Sequence, residues 1–167
     1  MTREKVNRLL KEYRVQLGRC KYLERLIPLL EVEVETMKRS LTEESISIRG
    51  AMLDGLPHGN DPADPTQTIG LLLASGYQPD YLKKKEEELR LAQVEYRKRS
   101  PNVIFVEAWL KGLSPREKWV VENHIIDSLT WNEMIKDYER TFGETRTKRC
   151  LQQIKKQALE KIYSFAL

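Results

Sequence analysis

The sequence predicts an all-α protein in two parts, a long amino-terminal helical hairpin followed by a small bundle of short helices. Three observations carry that expectation. Apolar residues recur at alternating threes and fours along the first segment. Helix start signals cluster in the last third of the chain. With eight Gly and seven Pro among 167 residues, turn formers are too few for a strand-rich fold of this size. Charged residues make up 32% of the chain, above the globular average of ~25%, and the mean hydropathy is −0.58. Both point to solvated helices beside a modest core. No apolar run approaches the ~18–20 residues that span a bilayer. The start, MTREKVNRLL, is charged from its third residue, unlike a secretory leader. A soluble cytoplasmic protein with no membrane partner is expected.

The first helix is expected from Thr2 to about Leu41. Its apolar stripe is Val6, Leu10, Tyr13, Leu17, Cys20, Ile27, Val34, Met37 and Leu41, the rhythm of a helix packed along another. Glu24 interrupts the stripe, and Pro28 lacks a backbone donor, so a kink or break is expected near residues 24–28. Residues 42–68 hold Gly50, Gly55, Pro57, Gly59, Pro62 and Pro65 and read as a long acidic connection. Helix resumes at Thr66–Ser75, breaks at Gly76 and restarts at Pro79. From Asp80 to Arg99 the stripe is Leu82, Leu89, Ala92 and Tyr96. Lys83–Lys85 facing Glu86–Glu88 supplies i,i+3 pairs on a solvated face. Residues 1–100 thus form the hairpin, with homo-oligomerisation along the same seam as a further expectation.

Ser100-Pro101 marks the expected boundary to a second domain, 101–167, which contains all three Trp. Asn102–Lys111 is a helix that stops at Gly112. Ser114-Pro115-Arg116-Glu117 is a capping box that opens a helix to about Ile126, and Thr130-Trp131-Asn132-Glu133 opens another through about Arg140. The last helix is expected from about Thr145. Its apolar face would be Thr147, Cys150, Leu151, Ile154, Ala158, Ile162 and Phe165. Thr145, Arg149, Gln152, Lys156 and Tyr163 would lie opposite. Arg140 to Lys161 holds seven basic and two acidic residues, a balance of +5 against +4 for the whole chain. Arg, Lys and Gln early in the second helix after a short turn suit a DNA major groove. Lys148, Arg149, Gln152 and Gln153 are expected at base edges, and Arg146, Lys155 and Lys156 at phosphates. Thr145 and Trp131 complete the expected DNA-contacting set. The segment Arg3 to Arg25 also carries +5, read as solvated coil surface.

Chemistry beyond binding has no support in the sequence. His58 in its Pro-His-Gly loop has no nucleophile spaced near it, and His124 reads as a packing or phosphate-proximal residue. Cys20 and Cys150 lie far apart, show no metal-ligand spacing with the histidines, and read as reduced thiols on apolar helical faces. No enzyme activity, metal or cofactor is expected.

The run Leu113-Ser-Pro-Arg-Glu-Lys-Trp-Val-Val-Glu-Asn-His-Ile-Ile-Asp-Ser-Leu-Thr-Trp-Asn-Glu-Met134 resembles region four of bacterial sigma factors. Thr147-Lys-Arg-Cys-Leu151, with Ile154 and Ala158, is similar to the recognition helix of that region. Pro57-His58-Gly59 and Asp64-Pro65-Thr66, between a basic coil and such a domain, resemble phage transcriptional regulators of the ArpU and RinA type. The resemblance implies a helix-turn-helix regulator of phage late genes in a bacterial host, probing double-stranded DNA and in contact with host RNA polymerase. In this sequence the turn Gly of the sigma pattern is Ser128, its small Ala is Ile135, and Lys136–Thr145 is about two residues longer. Rival readings are a packaging protein of small-terminase type, and a regulator that acts through its coil alone.

Overall fold

The computed structural model describes residues 1–53 and 79–166, with side chains described for 1–41 and 79–166. All regular structure in these residues is helical: α1 (Arg3–Leu53), α2 (Asp80–Lys111), α3 (Pro115–Val121), a π-helical turn (Glu122–Ile126), α4 (Trp131–Phe142) and α5 (Lys148–Ala166). None of these helices is long and apolar enough to cross a membrane.

Both long helices outrun the sequence expectation. α1 continues past Leu41 to Leu53, so the connection expected at 42–68 begins later. The stretch 42–53 carries Gly50 but no proline, and nothing in it stops a helix. The rest of that connection, with His58 and the helix expected at Thr66–Ser75, lies outside the described residues. The break expected near 24–28 is absent, because the seam shifts by one residue. Leu23 and Leu30 are buried where the spacing predicts an interruption at Glu24, and Glu24 and Pro28 both face outward. The Ser100-Pro101 boundary is absent too, since α2 runs through Pro101. Its seam, Leu82, Ala92, Tyr96, Val103, Val106 and Leu110, keeps its threes and fours across the proline. A mid-helix proline costs ~3 kcal/mol, about what burying one or two of these side chains returns.

The chain divides into two compact units, Leu23–Glu95 and a larger one made of Met1–Tyr22 with Tyr96–Leu167. This differs from the division expected at residue 100, because the first turns of α1 belong with the carboxy-terminal helices. In the smaller unit, α1 and α2 run in opposite directions, with Glu31 accepting from Gln93 at 3.0 Å and Lys38 paired with Glu86 at 2.7 Å. Leu23, Leu30, Val34, Leu82 and Ala92 are buried among its described residues. The expected i,i+3 pair Lys85–Glu88 forms, and Lys85 also reaches Glu33, both at 3.1 Å.

In the larger unit one core cluster joins Val6, Leu10, Tyr13 and Cys20 of α1 to Val103, Val106 and Trp109 of α2 and to Ala158 and Ile162 of α5. Tyr13 donates to Glu107 at 3.5 Å, and Arg99 to Gln16 at 2.8 Å. A second cluster sets Val120, Met134, Tyr138 and Leu151 together, rimmed by Trp119, Trp131, Ile135 and Phe142. Trp119 meets Tyr138 and Phe142 edge-on, with ring centroids 5.3 and 5.9 Å away.

Both capping boxes form as the sequence predicts. Ser114 accepts from the Glu117 amide and Thr130 from that of Glu133, and each Glu reaches back to the cap amide. Glu117 is also buried and paired with Lys161 of α5 at 2.7 Å, so one carboxylate caps α3 and ties it to α5. The helix expected to reach Ile126 changes to π-helical at Glu122, where the Asp127 amide donates back to the Glu122 carbonyl at 2.8 Å. Asp127 grips Arg14 of α1 through both oxygens, at 2.8 and 2.9 Å.

Ser128 follows with φ 58°, the only non-Gly positive φ among the described residues. Left-handed backbone suits glycine and costs other residues ~1–2 kcal/mol. Ser128→Gly should therefore raise stability by up to ~1 kcal/mol in denaturant titrations, and the β-branched Ser128→Val should lower it by more than ~1 kcal/mol.

The two tying carboxylates also set an acid limit. Burial pushes the Glu117 carboxyl up, but Lys161 and Ser114 outweigh it and hold it below its usual range. The Arg14 guanidinium holds Asp127 down against its own desolvation. Depressed carboxyls contribute stability that is complete above their unfolded pKa values near ~4 and is lost as pH falls through the folded values. The melting temperature should hold down to about pH 5 and fall below about pH 4. The double variant Glu117→Gln, Asp127→Asn should melt lower at pH 6, with a shallower fall in acid.

Candidate nucleic-acid interface

α5 begins at Lys148, three residues later than expected. Thr147 stands just before it, exposed, and its Oγ1 accepts from the Cys150 amide at 3.4 Å. Thr145 and Arg146 are therefore in the turn, and both are engaged within the protein. The Thr145 hydroxyl donates to Glu139 at 3.0 Å. Arg146 pairs with Glu144 at 2.7 Å, the same carboxylate that Arg116 of α3 holds at 2.6 Å. These pairs lock the turn onto α3 and α4, because Gly143 with φ 67° ends α4 and redirects the chain there.

The other residues expected to contact DNA behave differently. Lys148, Arg149, Gln152, Gln153 and Lys156 are all exposed on α5. Among the described residues Lys148, Arg149 and Lys156 have no carboxylate within ion-pair distance. Residues 148–159 contain four cations and no acid. Two open grooves flank this helix. One is lined by Arg149, Gln153, Gln157 and Lys161 with Glu117 of α3, the other by Lys155, Leu159 and Tyr163 with His124 and Trp131. Gln152, Lys156 and Glu160, one turn apart in succession, line both and form the ridge between them. The arrangement is a protruding helical edge with cations and amides along its first three turns.

Lys155 sits lower on that ridge. It is half-buried, with Nζ 5.6 Å from the centre of the Trp131 ring. Trp131, the first residue of α4, is half-buried in turn and packs on His124 with centroids 3.9 Å apart. His124 Nδ1 lies 3.0 Å from the Leu129 carbonyl oxygen, so that nitrogen carries the proton and donates. Burial lowers the proton affinity of Lys155, and the nearby charge of Lys11 lowers it further.

Three features of the expected face change. Tyr163, expected opposite the apolar stripe, is buried and donates to Asn7 of α1 at 3.0 Å, with the Arg3 guanidinium over its ring. Cys150 is exposed, because nothing covers the first turn of α5 on that side, whereas Cys20 is buried as expected. Phe165 is also exposed, lying against Gly112, where an added Cβ would meet its ring at 2.8 Å. Lys11 and Asn7 fall in the stretch expected to be solvated coil surface, and no local signal in α1 marks either as a neighbour of α5. Among the described residues no cluster of His, Cys, Asp and Glu could hold a metal ion. No protein-family model, curated protein or solved structure matches the chain.

A half-buried ammonium beside a second cation and without a carboxylate does not stabilise the fold. Lys155→Met keeps the apolar stem, so its melting temperature should equal or exceed that of the parent protein. A clear fall would show that the ammonium is satisfied where it lies.

Proposed function

We propose that the larger unit binds double-stranded DNA as a helix-turn-helix of the sigma region-four kind, with α4 as support and α5 as reader. The observation that carries this reading is the exposed, acid-free face of α5 over residues 148–159. Several cations elsewhere in the unit are paired, as Arg14, Arg116, Arg140, Arg146 and Lys161 are. Leaving Lys148, Arg149 and Lys156 unpaired on a ridge leaves their charge available to a polyanion.

Arg149 and Gln152 stand where bidentate contacts to guanine and adenine edges can form, joined by Lys148 and Gln153. Lys156 and Lys155 are placed for phosphates, whereas Arg146 serves the turn. The paired α1 and α2 act as the assembly element of the hairpin, and the whole is a transcriptional regulator of the ArpU and RinA type, an activator that contacts promoter DNA and host RNA polymerase. The left-handed Ser128 supports the sigma-like reading, because it stands where that pattern places its turn Gly. The packaging and coil-only readings gain no comparable support.

Binding of the full-length protein to fragments of its own genome at ~150 mM salt tests the reading, since nonspecific affinity is weak there. Arg149→Ala and Gln152→Ala should each cost ~1–3 kcal/mol at the retained site and relax base preference. Lys156→Ala should weaken cognate and random duplexes alike and flatten the salt dependence by ~1 in log–log slope. Equal effects of all three variants on both kinds of DNA would remove the base-reading role from α5.

A further inference from the structure

The groove of α5 that faces His124 and Trp131 collects positive and donor groups from three separate elements. Lys155 and Lys156 come from α5, Trp131 from the start of α4 and His124 from the π-helical turn, and Lys11 of α1 is near enough for its charge to act on Lys155. Two contacts on either side of Lys11 tie α1 to the elements of this groove. One turn before it, Asn7 accepts from Tyr163, which lines the groove. One turn after it, Arg14 grips Asp127 directly behind the π-helical turn that carries His124. Lys11 is exposed, and neither it nor Lys155 has a carboxylate within ion-pair distance among the described residues.

The donors here are spare ones. The Trp131 indole N–H makes no hydrogen bond among the described residues, and His124 spends only Nδ1 on the Leu129 carbonyl. One acid lines the groove, Glu160, with Arg3 3.5 Å from it. The groove on the opposite flank is different, since it contains both Glu117 and Glu160 and the Lys161 charge is taken up by Glu117. The two flanks of α5 are therefore electrostatically unequal. A helix lying in a major groove has a sugar-phosphate strand on each side, ~12 Å apart. Only one flank of α5 is built to meet such a strand closely.

The geometry points to the His124–Trp131–Lys155 groove, with Lys11 of α1 beside it, as a seat for the phosphodiester backbone on one side of the reader helix. It rests on the DNA-binding reading and deepens it. α1 becomes part of the DNA-contacting surface rather than assembly coil alone. An incoming phosphate brings the countercharge that Lys11 and Lys155 lack within the protein, and it can accept from the Trp131 indole N–H.

The test measures affinity of the full chain for a random-sequence duplex from 50 to 300 mM salt. The variants are Lys11→Gln, Lys155→Met, Lys156→Ala and, as a charge-matched control, Lys84→Gln in the smaller unit. Lys11→Gln and Lys155→Met should each weaken binding roughly three- to tenfold at the lowest salt and reduce the log–log salt slope by ~0.9, the value for one phosphate contact. Lys84→Gln should change neither. If Lys11→Gln and Lys155→Met match the parent protein while Lys156→Ala does not, the seat is overturned and the reader helix stands. Equal losses in Lys11→Gln, Lys155→Met and Lys84→Gln would reduce the effect to net charge and also overturn it. If the parent protein does not bind duplex even at 50 mM salt, the DNA-binding reading fails and the seat with it.

Discussion

The larger unit depends on the burial of the first turns of α1 among helices that come more than ninety residues later. Val6, Leu10 and Tyr13 share one cluster with Val106, Ala158 and Ile162, and several of these side chains are wholly out of solvent. Each such side chain contributes ~1.5–3 kcal/mol relative to exposure. Without that strip of α1, α5 would expose Ala158, Ile162 and Tyr163, and its ridge would have nothing to stand on. The polar contacts around the cluster add direction to this adhesion. Asn7 with Tyr163 and Arg14 with Asp127 fix the rotation of α1, so its cations face chosen neighbours.

The charges of this unit are distributed unevenly. Glu144 holds two arginines at the turn before α5, and Glu117 caps one helix while pairing with a lysine of another. Acidic residues are thus placed where they join elements, and the first turns of α5 are left without any. Because a ~10 Å screening length at ~0.1 M salt confines each charge to its neighbourhood, that local imbalance matters more than the chain's net +4.

Much of this was legible in the sequence, for reasons of range. Capping boxes were readable at Ser114 and Thr130 because both partners lie within one turn. The heptad seams were readable because their period repeats many times. The errors came where a local rule met a distant contact. Pro28 and Pro101 read as breaks, yet seams that continue on both sides keep each helix intact. Tyr163 read as exposed from its helical angle, and α1 covers it from 156 residues away. The start of α5 was misplaced because Thr145 and Arg146 bond to Glu139 and Glu144 instead of extending the helix. The exposed cations of α5 were found, while the groove beside them needed the position of Lys11, which no spacing in α1 reveals.

The two units also differ in how their pieces are threaded. The smaller unit is one continuous stretch of chain, whereas the larger one is interrupted, its first 22 residues separated from the rest by the whole of the smaller unit. During synthesis the amino-terminal helix therefore leaves the ribosome long before the helix it must pack against exists. Chain elongation at ~5–20 residues per second makes that delay many seconds, during which Val6, Leu10 and Tyr13 have no native cover from α5. The intervening unit can shorten the wait in space though not in time. If Leu23–Glu95 forms first, it replaces a long, loose loop with a short folded tether, and the entropy of closing residue 7 onto residue 163 falls accordingly.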